Sequence, residues 1–98
     1  MHSYRIVWED EAKAREIVLF AHYALEAGLV TVREIRPTTV TLYDTVTKQA
    51  MRTLPVYSAT GQRLLAEAYL ASRASEISLE EEILAAHALL DDEVGAAA

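Results

Sequence analysis

The sequence predicts an α+β domain in which three helices pack on one face of a small antiparallel sheet of three to four strands, in the order βαβββαα. Its central third is rich in threonine and valine and alternates apolar with polar residues, a pattern typical of strands. Alanine- and leucine-rich stretches with helical spacing flank it. The 98 residues are 52% apolar, which is enough for one core, so a single domain is expected over residues 1–98, with 95–98 as a frayed tail.

The first two elements are predicted as a strand and a helix. Residues 4–8 alternate large apolar residues with others, as a half-buried strand does. Residues 9–27 form an alanine-rich stretch whose acidic first turn complements the positive end of a helix dipole. Gly28 fits the left-handed position that closes a helix. The inward stripe of this predicted helix consists of Ala14, Ile17, Val18, Ala21, Ala24, Leu25 and Gly28.

Three antiparallel strands are predicted next, over 30–36, 38–43 and 49–54. Pro37 is expected to end the first of them and Pro55 the last, because proline lacks the amide hydrogen that a sheet ladder needs. Residues 44–48 are predicted to form a hairpin loop. Asp44 favours this loop because its side chain can accept hydrogen bonds from the backbone two residues on.

Two further helices complete the prediction. The second covers residues 62–74, with Ser58 or Thr60 as its N-cap. The third begins after Ser78, which forms a capping box with Glu81. The inward stripe of the third helix consists of Leu79, Ile83, Ala86, His87 and Leu90.

The net charge of −6 is unevenly distributed along the chain. It is −2 over residues 1–29, +3 over 30–63 and −7 over 64–98. Within the acidic third, Asp91, Asp92 and Glu93 follow one another near the negative end of the predicted third helix. This acidic patch is predicted to steer a basic protein partner. A solvated helix end is the alternative reading of the same residues.

The basic middle of the chain is a second candidate binding region. Arg33, Arg36, Lys48 and Arg52 would line one face of the sheet, and Arg63 would assist at the start of the second helix. Such a face could bind an anionic ligand or single-stranded nucleic acid. Nucleic acid is disfavoured, because aromatic residues are few and the chain is acidic overall. The alternative is that these cations meet the acidic helices, within one chain or across a dimer.

The last two predicted helices carry more large apolar residues than one buried stripe requires. Because a domain of this size covers about one face of each helix, the excess predicts a two-fold homodimer. The candidate interface residues are Tyr69, Leu84, Leu89 and Leu90. A third helix sandwiched between the other two is the alternative.

Few residues suggest catalysis, a metal or a cofactor. The chain has no cysteine, which excludes disulfides, zinc–thiolate sites and a thiol nucleophile. On a helix, His22 and Glu26 would share one face, but a stable metal site needs further ligands and the sequence offers none. We therefore expect no metal and no cofactor. An enzyme that uses His22 or His87 is the least favoured of three hypotheses, because no acid/base constellation accompanies either residue.

These patterns predict a small soluble regulatory or adaptor protein that acts by protein–protein association and has no catalysis of its own. Binding of nucleic acid or an anionic ligand is the alternative. A cytoplasmic location is expected, since no apolar run approaches the ~20 residues that a bilayer requires and no secretory leader is evident. Seven arginines against two lysines and 17 alanines are typical of a GC-rich bacterial genome.

Overall fold

The computed structural model describes residues 2–97, and the side chains within residues 2–88. The chain forms β1 (His2–Asp10), β2 (Arg15–Glu26), β3 (Leu29–Tyr43), β4 (Ala50–Pro55), α1 (Ala59–Ser72) and α2 (Leu79–Ala97), with a 3-10 turn at Glu11–Lys13. The four strands form one antiparallel sheet in the order β1-β2-β3-β4. The predicted α+β class is confirmed, whereas the predicted number of three helices and the βαβββαα order are wrong, since two helices and the order ββββαα are observed. Within residues 2–97, no helix is long and apolar enough to cross a membrane.

The stretch predicted as the first helix is β2, a strand that pairs with β1 on one side and β3 on the other. Its buried residues alternate along the chain with a period of two, as in a strand. They are Ile17, Leu19, Ala21 and Tyr23, each at most 5% exposed. Val18, which the helical stripe placed inward, therefore lies on the opposite face of the sheet.

Ala27 and Gly28 connect β2 to β3 in a two-residue hairpin. Their φ angles are 53° and 78°, and a type I′ turn requires positive φ at both central positions. Gly28 was predicted to close a helix, and that prediction is wrong. Both roles need a left-handed backbone, so the glycine indicated a turn without indicating which element precedes it.

β3 continues through Pro37, where the sequence predicted an end. Pro37 lies opposite Leu19 and Thr39 lies opposite Val18, so Thr38 is an extra residue at a bulge. A bulge accommodates a residue that cannot donate to the ladder. The Thr38 hydroxyl donates a hydrogen bond to the Val18 carbonyl oxygen at 3.0 Å, which holds the bulge against β2.

The predicted loop after Tyr43 is confirmed as the turn between β3 and β4. The Asp44 carboxylate accepts hydrogen bonds from the backbone N–H groups of Val46 at 2.8 Å and Thr47 at 2.9 Å. The backbone bond from Thr47, followed by that from Val46, lowers the pKa of Asp44 below its usual value. The charged carboxylate thus fixes the turn that sets the register of β4.

The helix predicted over residues 62–74 is α1, which begins at Ala59 and ends at Ser72, and α2 begins directly after Ser78 as predicted. Ser58, not Thr60, caps α1, because its hydroxyl oxygen accepts from the Gly61 N–H at 2.9 Å. The Ser78 hydroxyl accepts from the Glu81 N–H at 3.2 Å at the start of α2. Each cap satisfies an N–H group that has no partner inside its helix.

Both helices pack on the same face of the sheet, and the core lies between them and the strands. α1 contributes Tyr69, which meets Trp8 of β1 edge to face with ring centroids 5.7 Å apart. α2 contributes Leu79 and Ile83, which are 4% and 0% exposed. The other face of the sheet, which carries the residues that alternate with the buried ones, is called the open sheet face below.

Candidate binding surfaces

The five predicted cations lie on different parts of the molecule. Arg33 and Arg63 line one groove beside α1. Arg36 lies on the open sheet face, two residues from the bulge. Lys48 is in the β3–β4 turn, and Arg52 is on β4, the strand at one edge of the sheet. The structure therefore brings together only the first two.

The predicted acidic patch of Asp91, Asp92 and Glu93 lies outside the described side chains. The same holds for Leu89 and Leu90, two of the four residues predicted for a dimer interface. Their roles remain predictions.

The other two predicted interface residues are placed differently by the fold. Leu84 is 37% exposed on α2. Tyr69 is 5% exposed and packs on Trp8 in the core. The core of a single chain therefore covers Tyr69, which corrects its placement on an outer surface. Its apolar ring is explained by packing against the sheet.

An open groove of about 930 Å³ separates α1 from the start of α2, with β3 beneath it. Half-buried Val32 and Ile35 of β3 contribute to its lining. Leu70 on α1 and Ile77 in the α1–α2 connection also line it and are 45% and 58% exposed. Exposed apolar side chains that adjoin one another within a polar rim are typical of protein-binding sites.

The rim of this groove carries both signs of charge. Arg33 and Arg63 face it together with Glu67 and Glu80. The Arg33 guanidinium is 3.9 Å from the Glu26 carboxylate, and both side chains are more than half exposed. Exposed ion pairs contribute little to stability, so a binding partner can exchange them at low cost.

Arg73 lines one end of the groove, and its side chain is 7% exposed. Its guanidinium donates hydrogen bonds to the Tyr69 hydroxyl, to the Ile77 carbonyl oxygen at 3.0 Å and to the Glu82 carboxylate at 3.1 Å. Burial raises the pKa of the Tyr69 hydroxyl above its ordinary value. These bonds join α1, the α1–α2 connection and α2, and so hold Ile77 at the groove.

Sequence reasoning missed the structural role of Arg73. The sequence does contain an indication of this role, because Arg73 is the single lysine or arginine within residues 64–98, where eight side chains are acidic. A lone cation among many carboxylates is a candidate for a buried, multiply hydrogen-bonded position. The spacing of α1 alone does not reveal which carboxylate it would meet.

A row of three side chains crosses the open sheet face. Arg5 of β1 lies opposite Phe20 of β2, and Phe20 lies opposite Arg36 of β3. Both arginines are exposed and the phenylalanine is half-buried. The Arg36 guanidinium is 3.4 Å from the exposed Glu34 carboxylate. The sequence prediction missed this row, which we call the Arg–Phe–Arg row, because it placed Phe20 on a helix.

His22 and His87 each contact a hydroxyl group on another part of the chain. His22 Nδ1 is 3.0 Å from the Ser3 hydroxyl oxygen, and His87 Nδ1 is 3.4 Å from the Tyr23 hydroxyl oxygen. His22 and Glu26 were predicted to share one face of a helix, and that prediction is wrong. Both lie on β2, where four residues span about 13 Å. Among the described residues, no group of three or more histidine, cysteine or acidic side chains is placed to hold a metal ion.

Among the described residues, the groove and the Arg–Phe–Arg row are thus two surfaces on which apolar or aromatic groups lie beside exposed charge. Both are formed by residues from separate parts of the chain. No family model, curated protein or solved structure matches this chain.

Proposed function

We propose that this chain is a small cytoplasmic adaptor that acts by protein–protein association, with no catalysis of its own. Its groove would take an amphipathic segment of a partner protein. The observation that carries the proposal is the exposure of Leu70 and Ile77, 45% and 58%, on a concave surface beside Val32 and Ile35. Burying such side chains favours association, and apolar grooves commonly bind amphipathic helices.

The charge around the groove favours a basic partner segment. Within the described part of the chain, Glu67, Glu80 and Arg63 form no ion pair at the groove rim, so unpaired carboxylates outnumber unpaired guanidinium groups there by two to one. The chain as a whole has a net charge of −6, which adds long-range attraction for a basic partner. Lysine or arginine beside the apolar positions of the partner would therefore increase the association rate.

Ile77→Asp is expected to weaken partner binding by about tenfold or more, because it removes an apolar contact and places a charge against the partner. The measurement is affinity capture from the native lysate with mass spectrometry, followed by titration of the captured partner. Met51→Asp is the matched control, since Met51 is 65% exposed on β4, away from the groove. Equal capture by the wild type and both variants would contradict the proposal.

The Arg–Phe–Arg row supports a second candidate function, binding of single-stranded nucleic acid on the open sheet face. A phenylalanine with an arginine on each neighbouring strand offers stacking to a base and charge to the neighbouring phosphates. Glu34 beside Arg36 lowers this potential, which is why protein association is preferred.

For this candidate, a labelled mixed-sequence oligonucleotide should bind at low salt and dissociate steeply as salt rises. Arg36→Ala is expected to weaken binding, while Arg52→Ala, an exposed arginine on β4, should leave it unchanged. Fluorescence anisotropy measures both. An absence of binding at low salt would contradict this candidate without bearing on the groove.

A further inference from the structure

β1 is the longer of the two edge strands of the sheet. β1 covers nine residues, His2–Asp10, and all of them pair with β2 on one side only. Its outer backbone N–H and C=O groups therefore face away from the sheet. Such an edge is a template for pairing with another strand.

The two sheet edges differ in how they are protected. β4 is six residues long and ends in Pro55, and a register shift interrupts its pairing with β3. The β1–β2 ladder runs from His2 to Asp10 without a shift, and β1 contains no proline and no lysine. A cleft of about 590 Å³ lies beside β1, and its lining includes Ser72 at the end of α1 and Glu82 of α2. Length, regular register and absence of proline all leave the β1 edge competent for pairing.

We propose that β1 pairs antiparallel with the β1 strand of a second copy of this chain, about a two-fold axis at Val7. In this register Val7 lies opposite its own copy. Arg5 of each copy lies opposite Glu9 of the other, so one Arg5–Glu9 ion pair lies on each side of the axis. All three side chains belong to the open sheet face and are exposed, with Val7 at 44%.

The charge pattern of β1 selects this register over its neighbours. A two-fold axis at Ile6 places Arg5 opposite Val7 and leaves Glu9 opposite Ser3, without an ion pair. An axis at Arg5 places like charges opposite each other, which is destabilising. Each of these registers keeps the helices of both copies on one side of a continuous eight-stranded sheet, because directly opposite side chains point to the same face. The axis at Val7 is therefore the one that places Arg5 opposite Glu9.

This β1 interface is independent of the adaptor groove and of the helix residues predicted for a dimer. It can be tested by disulfide cross-linking, because the chain has no cysteine of its own and a single introduced cysteine can pair only with its copy. In Val7→Cys the two thiols would lie on directly opposite residues, with Cα atoms about 4.5–5.5 Å apart, a distance that a disulfide spans. In the control Ser3→Cys, also exposed on β1, they would be eight residues apart along the strand, about 26 Å.

Mild oxidation should convert Val7→Cys to a cross-linked dimer on a non-reducing gel and leave Ser3→Cys monomeric. Equal cross-linking of both variants, or none in Val7→Cys, would overturn the proposal.

Charge exchange provides a second, non-covalent readout. By light scattering, the wild type and Arg36→Glu should be dimers, since Arg36 lies on the internal strand β3. Arg5→Glu and Glu9→Arg should each weaken the dimer by about tenfold or more, and the double variant Arg5→Glu/Glu9→Arg should restore it. A monomeric wild type, an undiminished dimer in Arg5→Glu, or a double variant that stays monomeric would each refute the register.

Discussion

Leu19→Ala is expected to lower the free energy of unfolding by about 2–5 kcal/mol, the range for truncating a buried leucine to alanine. Leu19 is 0% exposed at the centre of the sheet, between Ile6 of β1 and Pro37 of β3. Little in this environment can collapse to fill the space, because strands pair with β2 on both sides. Urea unfolding monitored by circular dichroism measures the loss, and the midpoint should fall without a change in slope.

Val18→Ala is the matched comparison, and we expect it to cost less than about 1 kcal/mol. Val18 is half-buried on the open sheet face, next to Leu19 in sequence and on the other side of the sheet. A helix over this stretch reverses the order, because Val18 belongs to the helical stripe and Leu19 does not. A greater loss in Val18→Ala than in Leu19→Ala would therefore contradict β2 itself.

Arg73→Leu is expected to cost about 3 kcal/mol, the second large effect. The substitution leaves the Glu82 carboxylate, the Tyr69 hydroxyl and the Ile77 carbonyl oxygen without the donor they share. Leaving a partly buried charge without its partner destabilises the fold by more than the ion pair itself stabilises it. The loss should appear as a lower midpoint in thermal and urea unfolding.

The control for Arg73→Leu is Arg63→Leu, on the same helix and exposed, which should change stability by no more than about 0.5 kcal/mol. The double variant Arg73→Leu/Glu82→Leu should recover part of the loss, because no uncompensated charge remains. Similar stabilities for Arg73→Leu and Arg63→Leu would show that the network does not hold the two helices together.

Much of the local structure was predictable because its causes are local. The Asp44 side chain bonds to backbone groups two and three residues away, so the turn could be predicted from a single residue and its surroundings. Ser58 and Ser78 cap helices through N–H groups three residues on. The strand that includes Tyr4 and Trp8 was likewise indicated by simple alternation.

β2 was mispredicted because its apolar residues fit both the 3.6-residue period of a helix and the two-residue period of a strand. Ile17 and Ala21 fall on the same face in a helix and in a strand, and Val18 and Phe20 are apolar as well. Alanine spacing and the following Gly28 then favoured a helix. Only pairing with β1 and β3 excludes it, since a central strand finds partners for its backbone on both sides.

The sequence by itself determined the α+β class, the turn at Asp44, the two capped helices and the separation of acidic from basic segments. These features depend on contacts within a few residues or on composition. The tertiary structure decided that residues 15–26 form a strand, that Pro37 lies at a bulge and that Arg73 is buried. It also set Arg5, Phe20 and Arg36 in one row. Each of these depends on residues far apart in the chain, whose approach is governed by strand pairing and burial rather than by local preference.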